Sequence, residues 1–369
     1  MAAKKKTSNE TLQRPPAEVL YADELTRLKA QDKGPKPPGW AMTPRSVRRF
    51  ILGDEGLNIR QKFVGSPSLV DRAMVSIATN RGLILVGEPG TAKSLLSELF
   101  AAAISGDSTL TIQGGASTTE DQIKYSWNYA LLVAEGPSTR SLVPAPMYSG
   151  MIGGKLVRFE EITRCPPEVQ DAMLSMLSDR VMAVPELSGD EGMLYAREGF
   201  NIIATANTRD RGVNEMSAAL KRRLNFETVF PIPDFKVELA LVRKESARLL
   251  ERAGVPSTPG EDVLEVLVTT FRELRSGQTK DGQTMERMST VLSTAEAVSV
   301  AYAAGVRAYF LGSGKVTPAD VVESLAGAVV KDDPEDLRRL RRYFEQRISK
   351  REGKAWRAFY TARNKLPGA

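Results

Sequence analysis

The sequence predicts an α/β domain built on a five-stranded, mostly parallel sheet, followed by a second, all-helical domain. Three observations carry that expectation. Five short apolar runs, 83–86, 110–112, 156–159, 200–204 and 227–230, alternate with helical stretches from about residue 46, the pattern of parallel strands joined by crossover helices. A glycine-rich loop connects the first run directly to a helix. After Asp234 the strands stop, and helical spacing takes over through Leu239, Val242, Leu249 and Leu250, then Val263, Leu264, Leu267 and Phe271.

Composition permits this and excludes much else. The 369 residues, 42% hydrophobic and 26% charged, can bury one large or two modest cores. The single cysteine, Cys165, cannot form an intramolecular disulfide, and the absence of histidine excludes His-based triads and His-ligated metal sites. No eighteen apolar residues run together, so a cytoplasmic chain with no membrane insertion is expected. The formal charge of +6 sits at the ends. Residues 1–49 hold 11 Lys/Arg against 5 Asp/Glu, residues 335–365 hold 11 against 4, and the rest holds 29 against 36. Nucleic acid is therefore a possible partner but not a favoured one, because a body that tracks DNA carries its positive charge on the folded surface.

In chain order, residues 1–45 read as a basic, proline-containing N-terminal arm, extended rather than packed, with a short helix in its middle where Val19, Leu20, Leu25 and Leu28 recur at helical spacing and either dock on a neighbouring surface or stay solvated. It begins with Lys4, Lys5 and Lys6 and includes Pro15, Pro16, Pro35, Pro37 and Pro38. Residues 46–235 form the α/β domain and 236–333 the helical domain. Thr317 and Pro318 open one helix of the latter with an N-cap and a first-turn proline. Residues 334–369 are expected as one long basic helix or tail, fastened by Trp356, Phe359 and Tyr360.

The loop Gly87-Glu88-Pro89-Gly90-Thr91-Ala92-Lys93-Ser94 has the order strand, loop, helix that converges backbone N–H groups on phosphate oxygens. Lys93 would neutralise those oxygens and Ser94 would offer one oxygen to Mg²⁺. Ala92 stands where glycine is usual, which is tolerable if its φ stays negative. The second strong strand, 156–159, ends in Glu160 and Glu161, a pair able to serve a metal shell and an attacking water respectively. Glu160 stands where aspartate is usual. Its extra methylene is expected to be absorbed by a backbone shift or an intervening water, with slower turnover as the result. Asn207, closing the next strand, could hydrogen-bond the attacking water or a γ-phosphate. Arg222 and Arg223, and further on Arg287, supply cations downstream.

Together these residues resemble the AAA+ ATPases and, within them, the MoxR family. The resemblance rests on 87–94, on Leu142-Val143-Pro144-Ala145-Pro146-Met147-Tyr148, on Glu160-Glu161-Ile162-Thr163-Arg164-Cys165-Pro166-Pro167-Glu168-Val169-Gln170, and on Ile203-Ala204-Thr205-Ala206-Asn207. It implies a P-loop AAA+ domain with a helical lid, ATP and Mg²⁺ as cofactors, and a homo-oligomeric ring, usually a hexamer. Nucleotide is then assigned to Gly87 through Ser94 and Leu95, and metal to Ser94 and Glu160. Glu161 becomes the base, Asn207 sensor 1 and Arg287 sensor 2. Arg223, with Arg222 its rival, becomes the arginine reaching a neighbouring subunit, and Arg164 lies near the same intersubunit face. Inserts near 124–140 and 181–198 would face the ring's pore, with Trp127, Tyr129, Met193, Leu194 and Tyr195 touching substrate or packing within the insert. The family's usual activity is chaperone-like remodelling of a protein client or metalloenzyme complex with a von Willebrand A domain partner. Two other readings remain open: a motor subunit of a nucleic-acid defence or restriction complex, and a nucleotide-gated scaffold with weak hydrolysis.

Overall fold

A computed structural model describes residues 12–207, 214–331 and 333–367. By packing the chain divides into two units, one running to Val86 and resuming over Lys93–Thr228, the other formed by Gly87–Ala92 and the chain from Val229 onward.

The N-terminal segment is helical and docked, the first of the two alternatives open to it, and not an extended arm. Helices Ala17–Leu20 and Ala22–Gln31 lie on the first unit, with Ala17, Leu25 and Leu28 buried and Tyr21 edge-on to Phe50 at 5.8 Å. The apolar positions found a surface within their own chain, and buried polar partners fix them there. Glu24 is buried against Lys62 (2.5 Å) and Arg60 (2.9 Å). Asp32 accepts from the Thr43 hydroxyl and amide (2.6 and 2.9 Å) and from Ser46 (2.7 Å), with Lys36 at 3.1 Å. Lys4, Lys5 and Lys6 lie outside the described residues.

Burial pushes the Asp32 pKa up, but the Thr43, Ser46 and Lys36 contacts outweigh it and bring the value from 3.8 down to about 2. A depressed carboxyl pKa contributes stability above the unfolded value, lost as pH falls from about 4 through about 2. Asp32→Asn is therefore expected to cost about 2 kcal/mol at neutral pH. In thermal unfolding at stepped pH, the gap to the parent should close as the pH falls below 4; a constant gap would contradict the ion's role.

Nine strands are described. They are β1 Gly82–Gly87, β2 Thr111–Gln113, β3 Tyr125–Trp127, β4 Leu142–Pro144, β5 Leu156–Glu160, β6 Val181–Ala183, β7 Met193–Tyr195, β8 Asn201–Asn207 and β9 Leu224–Thr228. Five form one parallel sheet in the order β2-β5-β8-β1-β9. Leu83, Ile84, Leu85, Val157, Phe159, Ile202 and Ile203 are buried, as in a sheet covered on both faces. The last strand lies earlier than 227–230. Register explains the shift, since Leu224 pairs with Gly82 and Thr228 with Val86, leaving Val229 and Phe230 beyond the ladder.

Both inserts are antiparallel hairpins. β3 pairs with β4 and carries the helix Tyr129–Glu135 at its tip, and β6 pairs with β7. They share a small core of Leu142, Val184 and Leu187, against which Tyr125, Trp127 and Tyr148 pack, and the Tyr125 hydroxyl donates to Glu186 at 2.9 Å.

The second unit is helical, with Phe235–Arg252, Glu261–Ser276, Thr294–Phe310, Pro318–Val329, Pro334–Gln346 and Lys354–Thr361. The expected boundary at 333/334 separates no packing unit, because one apolar core runs from Val242 to Leu366. The final segment is not one long helix; it breaks between Gln346 and Lys354, where Gly353 takes φ +110°. Phe359 is buried with its ring 4.8 Å from Phe344, flanked by Trp356 and Tyr360. Much of the segment's positive charge is spent internally, in Arg338–Glu335, Arg342–Glu286, Arg363–Glu345 and Lys365–Glu323 pairs.

Candidate functional site

The site begins where β1 runs out into the glycine-rich loop. Gly90 takes φ +73°, and a Cβ there would fall 2.2 Å from the Ser293 side chain, so this position has room only for glycine. Thr91 closes the turn by donating its hydroxyl to the Glu88 carbonyl at 2.9 Å. Lys93 is buried at the start of the helix Lys93–Ser105, with Ser94 exposed and Leu95 half-buried beside it.

Ala92 contradicts its expected negative φ. It adopts φ +67°, because the loop must curl left-handed before the helix begins. That geometry costs a Cβ-bearing residue about 1–2 kcal/mol. Ala92→Gly would relieve it, less about 0.4–1 kcal/mol for the freer unfolded chain. A small net stabilisation, about 0.5 kcal/mol, is expected in denaturant unfolding; a loss of stability would show that the loop carries no strain.

At the end of β5, Glu160 is 5% exposed and accepts four hydrogen bonds. Ser94 and Thr205 hydroxyls donate to Oε2 at 2.6 and 2.8 Å, while Ser97 and the Arg158 guanidinium reach Oε1 at 2.6 and 2.9 Å. Burial pushes this carboxyl's pKa up, but the three hydroxyls and the Arg158 charge outweigh burial and hold it below its ordinary value. The longer glutamate side chain meets the Ser94 hydroxyl directly.

Glu161 leaves the strand with φ +54°. Its amide donates to Thr205 Oγ1 at 3.0 Å, and its half-exposed carboxylate pairs with Arg164 at 2.7 Å. The β2 end must make room for this kink, since a Cβ on Gly114 would lie 2.4 Å from the Glu161 carbonyl oxygen. Asn207 ends β8, two residues past Thr205, half-buried. Thus Ser94, Glu160, Glu161 and Asn207 stand at the carboxyl ends of adjacent strands and the helix start, the usual place for a ligand in an open parallel sheet.

Residues 82–224 match the AAA domain family, dynein-related subfamily, and residues 236–367 match the YehL-like AAA+ ATPase C-terminal domain. Protein YehL of Escherichia coli (strain K12) is 64% identical over 97% of this chain and 99% of its own length. The chain belongs to the YehL family of AAA+ ATPases. Chaperone MoxR1 of Mycobacterium tuberculosis (strain ATCC 25618 / H37Rv) is 23% identical, over 61% of this chain and 53% of that protein. Among solved structures, NtrX from Brucella abortus in complex with ADP is similar with TM-score 0.46 and 14% identity, covering 82% of this chain and 65% of that one.

As an AAA+ ATPase the chain belongs to a family whose general activity is ATP hydrolysis, and the fold is the AAA+ α/β sheet with a C-terminal helical domain. Mg²⁺ fits the oxygens present. The Ser94 hydroxyl and the Glu160 carboxylate meet at 2.6 Å. That suits a cation which takes one or two protein oxygens and fills its shell with water and phosphate.

The remaining cations are placed less uniformly. Arg223 is tied to its own chain, donating from Nε to the Ser178 hydroxyl and from Nη1 to the Ala219 carbonyl at 2.8 Å. Its neighbour Arg222 is exposed at the end of the helix Ala218–Lys221. Arg287 is exposed and donates to the Ser276 carbonyl at 2.9 Å, while Ser293 lies against Gly90 within the same unit. Trp127 packs against the small core shared by the inserts and Leu194 against the main core of the first unit, whereas Tyr129, Met193 and Tyr195 are exposed. Reading the sequence missed Ser97, Arg158 and Thr205 as site residues. Arg158 carried one signal: a charged residue inside an otherwise apolar strand, two positions before Glu160 and so on the same face.

Proposed function

We propose that this protein is an ATP-hydrolysing ring motor of MoxR type, a hexamer, that remodels a protein or metalloenzyme complex in a chaperone-like manner with a von Willebrand A domain partner. The observation that carries the ATPase reading is the meeting of Ser94, Glu160 and Thr205 beside the glycine-rich loop, with Glu161 and Asn207 adjacent. Backbone N–H groups of Gly87, Glu88, Gly90, Thr91 and Ala92 and the Lys93 ammonium bind the phosphates, with Pro89 shaping the loop and Leu95 completing the contact. Ser94 and Glu160 hold Mg²⁺, which supplies charge neutralisation at the β- and γ-phosphates. Glu161 takes a proton from the attacking water, and Asn207 orients that water or the γ-phosphate. Arg222 is the better trans arginine, since Arg223 is committed to Ser178 and Ala219. Arg164 acts from beside Glu161, and Arg287 as a lid cation.

Support for remodelling comes from the insert module. Its joined hairpins hold Tyr129, Val133 and Tyr195 out in solvent at 72, 88 and 68% exposure, Tyr129 and Val133 one helical turn apart. Aromatic groups on a braced tip suit transient grip on polypeptide. Mass photometry in Mg-ATP tests the assembly: a six-subunit species is expected, and monomers at every nucleotide condition would contradict the ring.

A further inference from the structure

We propose that Arg158 is a positioning residue that sets the Ser94–Glu160 pair and thereby the Mg²⁺ dependence of nucleotide binding, an inference resting on the nucleotide reading above. One nitrogen, Nη2, bonds both halves of that pair, the Ser94 carbonyl oxygen at 3.1 Å and Glu160 Oε1 at 2.9 Å. The other donors anchor the guanidinium to the first unit. Nε donates to Ser97 Oγ at 3.0 Å, and Nη1 to the Ser108 carbonyl at 3.1 Å and Thr111 Oγ1 at 3.3 Å. All five N–H groups are engaged, and the residue is buried.

This arrangement does two things. It fastens the first turn of the helix Lys93–Ser105 to β5, fixing where the Ser94 hydroxyl stands. It also occupies Oε1 together with Ser97, so that only Oε2 is presented to Ser94. A glutamate has one more rotatable bond than an aspartate, and a fixed planar fork removes that freedom where a lysine could not. Arg158 thus accommodates the longer carboxylate at this position. Outer partners that orient a metal-binding group usually matter about 10–100-fold in metal affinity.

The test follows a fluorescent ATP analogue binding to the full-length chain, in EDTA and across a Mg²⁺ series. Arg158→Leu is expected to raise the half-saturating Mg²⁺ concentration about 10–100-fold, with affinity in EDTA changed less than about twofold. Glu160→Asp should do the same, because the shorter side chain cannot span Ser94 and Arg158 together. The Arg158→Leu/Glu160→Asp double variant should lose no more than the worse single one, since both remove the same contact. If Arg158→Leu does not fold by circular dichroism, Arg158→Lys carries the test, and its single ammonium should shift Mg²⁺ dependence in the same direction. Equal weakening with and without Mg²⁺, or additive effects in the double variant, would overturn the proposal. Absence of binding by the parent chain in both conditions would overturn the nucleotide reading itself, a result distinguishable from either.

Discussion

Glu161→Gln is expected to lower the rate of phosphate release by about a thousandfold while leaving nucleotide affinity within a factor of about two, the size of effect lost when a positioned general base is removed. The amide keeps the shape of the side chain but cannot take the proton from water. Its backbone setting is secured elsewhere, by the hydrogen bond its backbone N–H donates to Thr205 Oγ1 and by the left-handed turn at the strand end, so the substitution leaves Glu160 and its four partners in place. The Arg164 pair at 2.7 Å would be lost, a half-exposed contact of small energetic weight. Rapid-quench phosphate release and analogue binding separate the two effects. Parallel losses in binding and release would instead give Glu161 a structural role.

Arg222→Ala is expected to cut hydrolysis by about three orders of magnitude, the scale on which an arginine supplied to the transferring phosphoryl group acts. In the proposed ring that arginine serves a neighbour, and the loss should then be complemented. Mixing Arg222→Ala subunits with Glu161→Gln subunits restores some sites that have both groups, so activity above the sum of the separate variants is expected. Arg223→Ala should behave differently. Its side chain ties to Ser178 and Ala219, and its removal should lower thermal stability more than it lowers turnover. If Arg223→Ala abolishes hydrolysis with stability intact while Arg222→Ala is silent, the two roles are exchanged.

Local chemistry was legible in the sequence where short-range rules govern it. The strand, loop and helix around Lys93 follow from residues 83–100 alone, and the acidic pair at 160–161 from its place at the end of an apolar run. What escaped depends on contacts between distant positions. The last strand begins at Leu224 because parallel pairing with Gly82 fixes the register, which propensity at 227–230 does not contain. Residues 12–45 looked extended because their prolines and charges were visible while the pocket formed by Lys62, Arg60, Thr43 and Ser46 was not. Ser97 and Thr205 read as ordinary hydroxyl residues until β5, β8 and the helix Lys93–Ser105 bring them to one carboxylate. Ala92 shows the same limit at a single residue, since its left-handed φ is imposed by the loop's path and not by its own preference.

Phosphate release from Mg-ATP across a dilution series of the full-length protein, with Lys93→Ala as the control for contaminating activity, tests the central claim most directly. The account predicts a specific activity that rises with protein concentration as subunits meet, and a silent Lys93→Ala variant. Specific activity that stays flat on dilution would contradict an arginine acting between subunits, and release undiminished in Lys93→Ala would contradict the site itself.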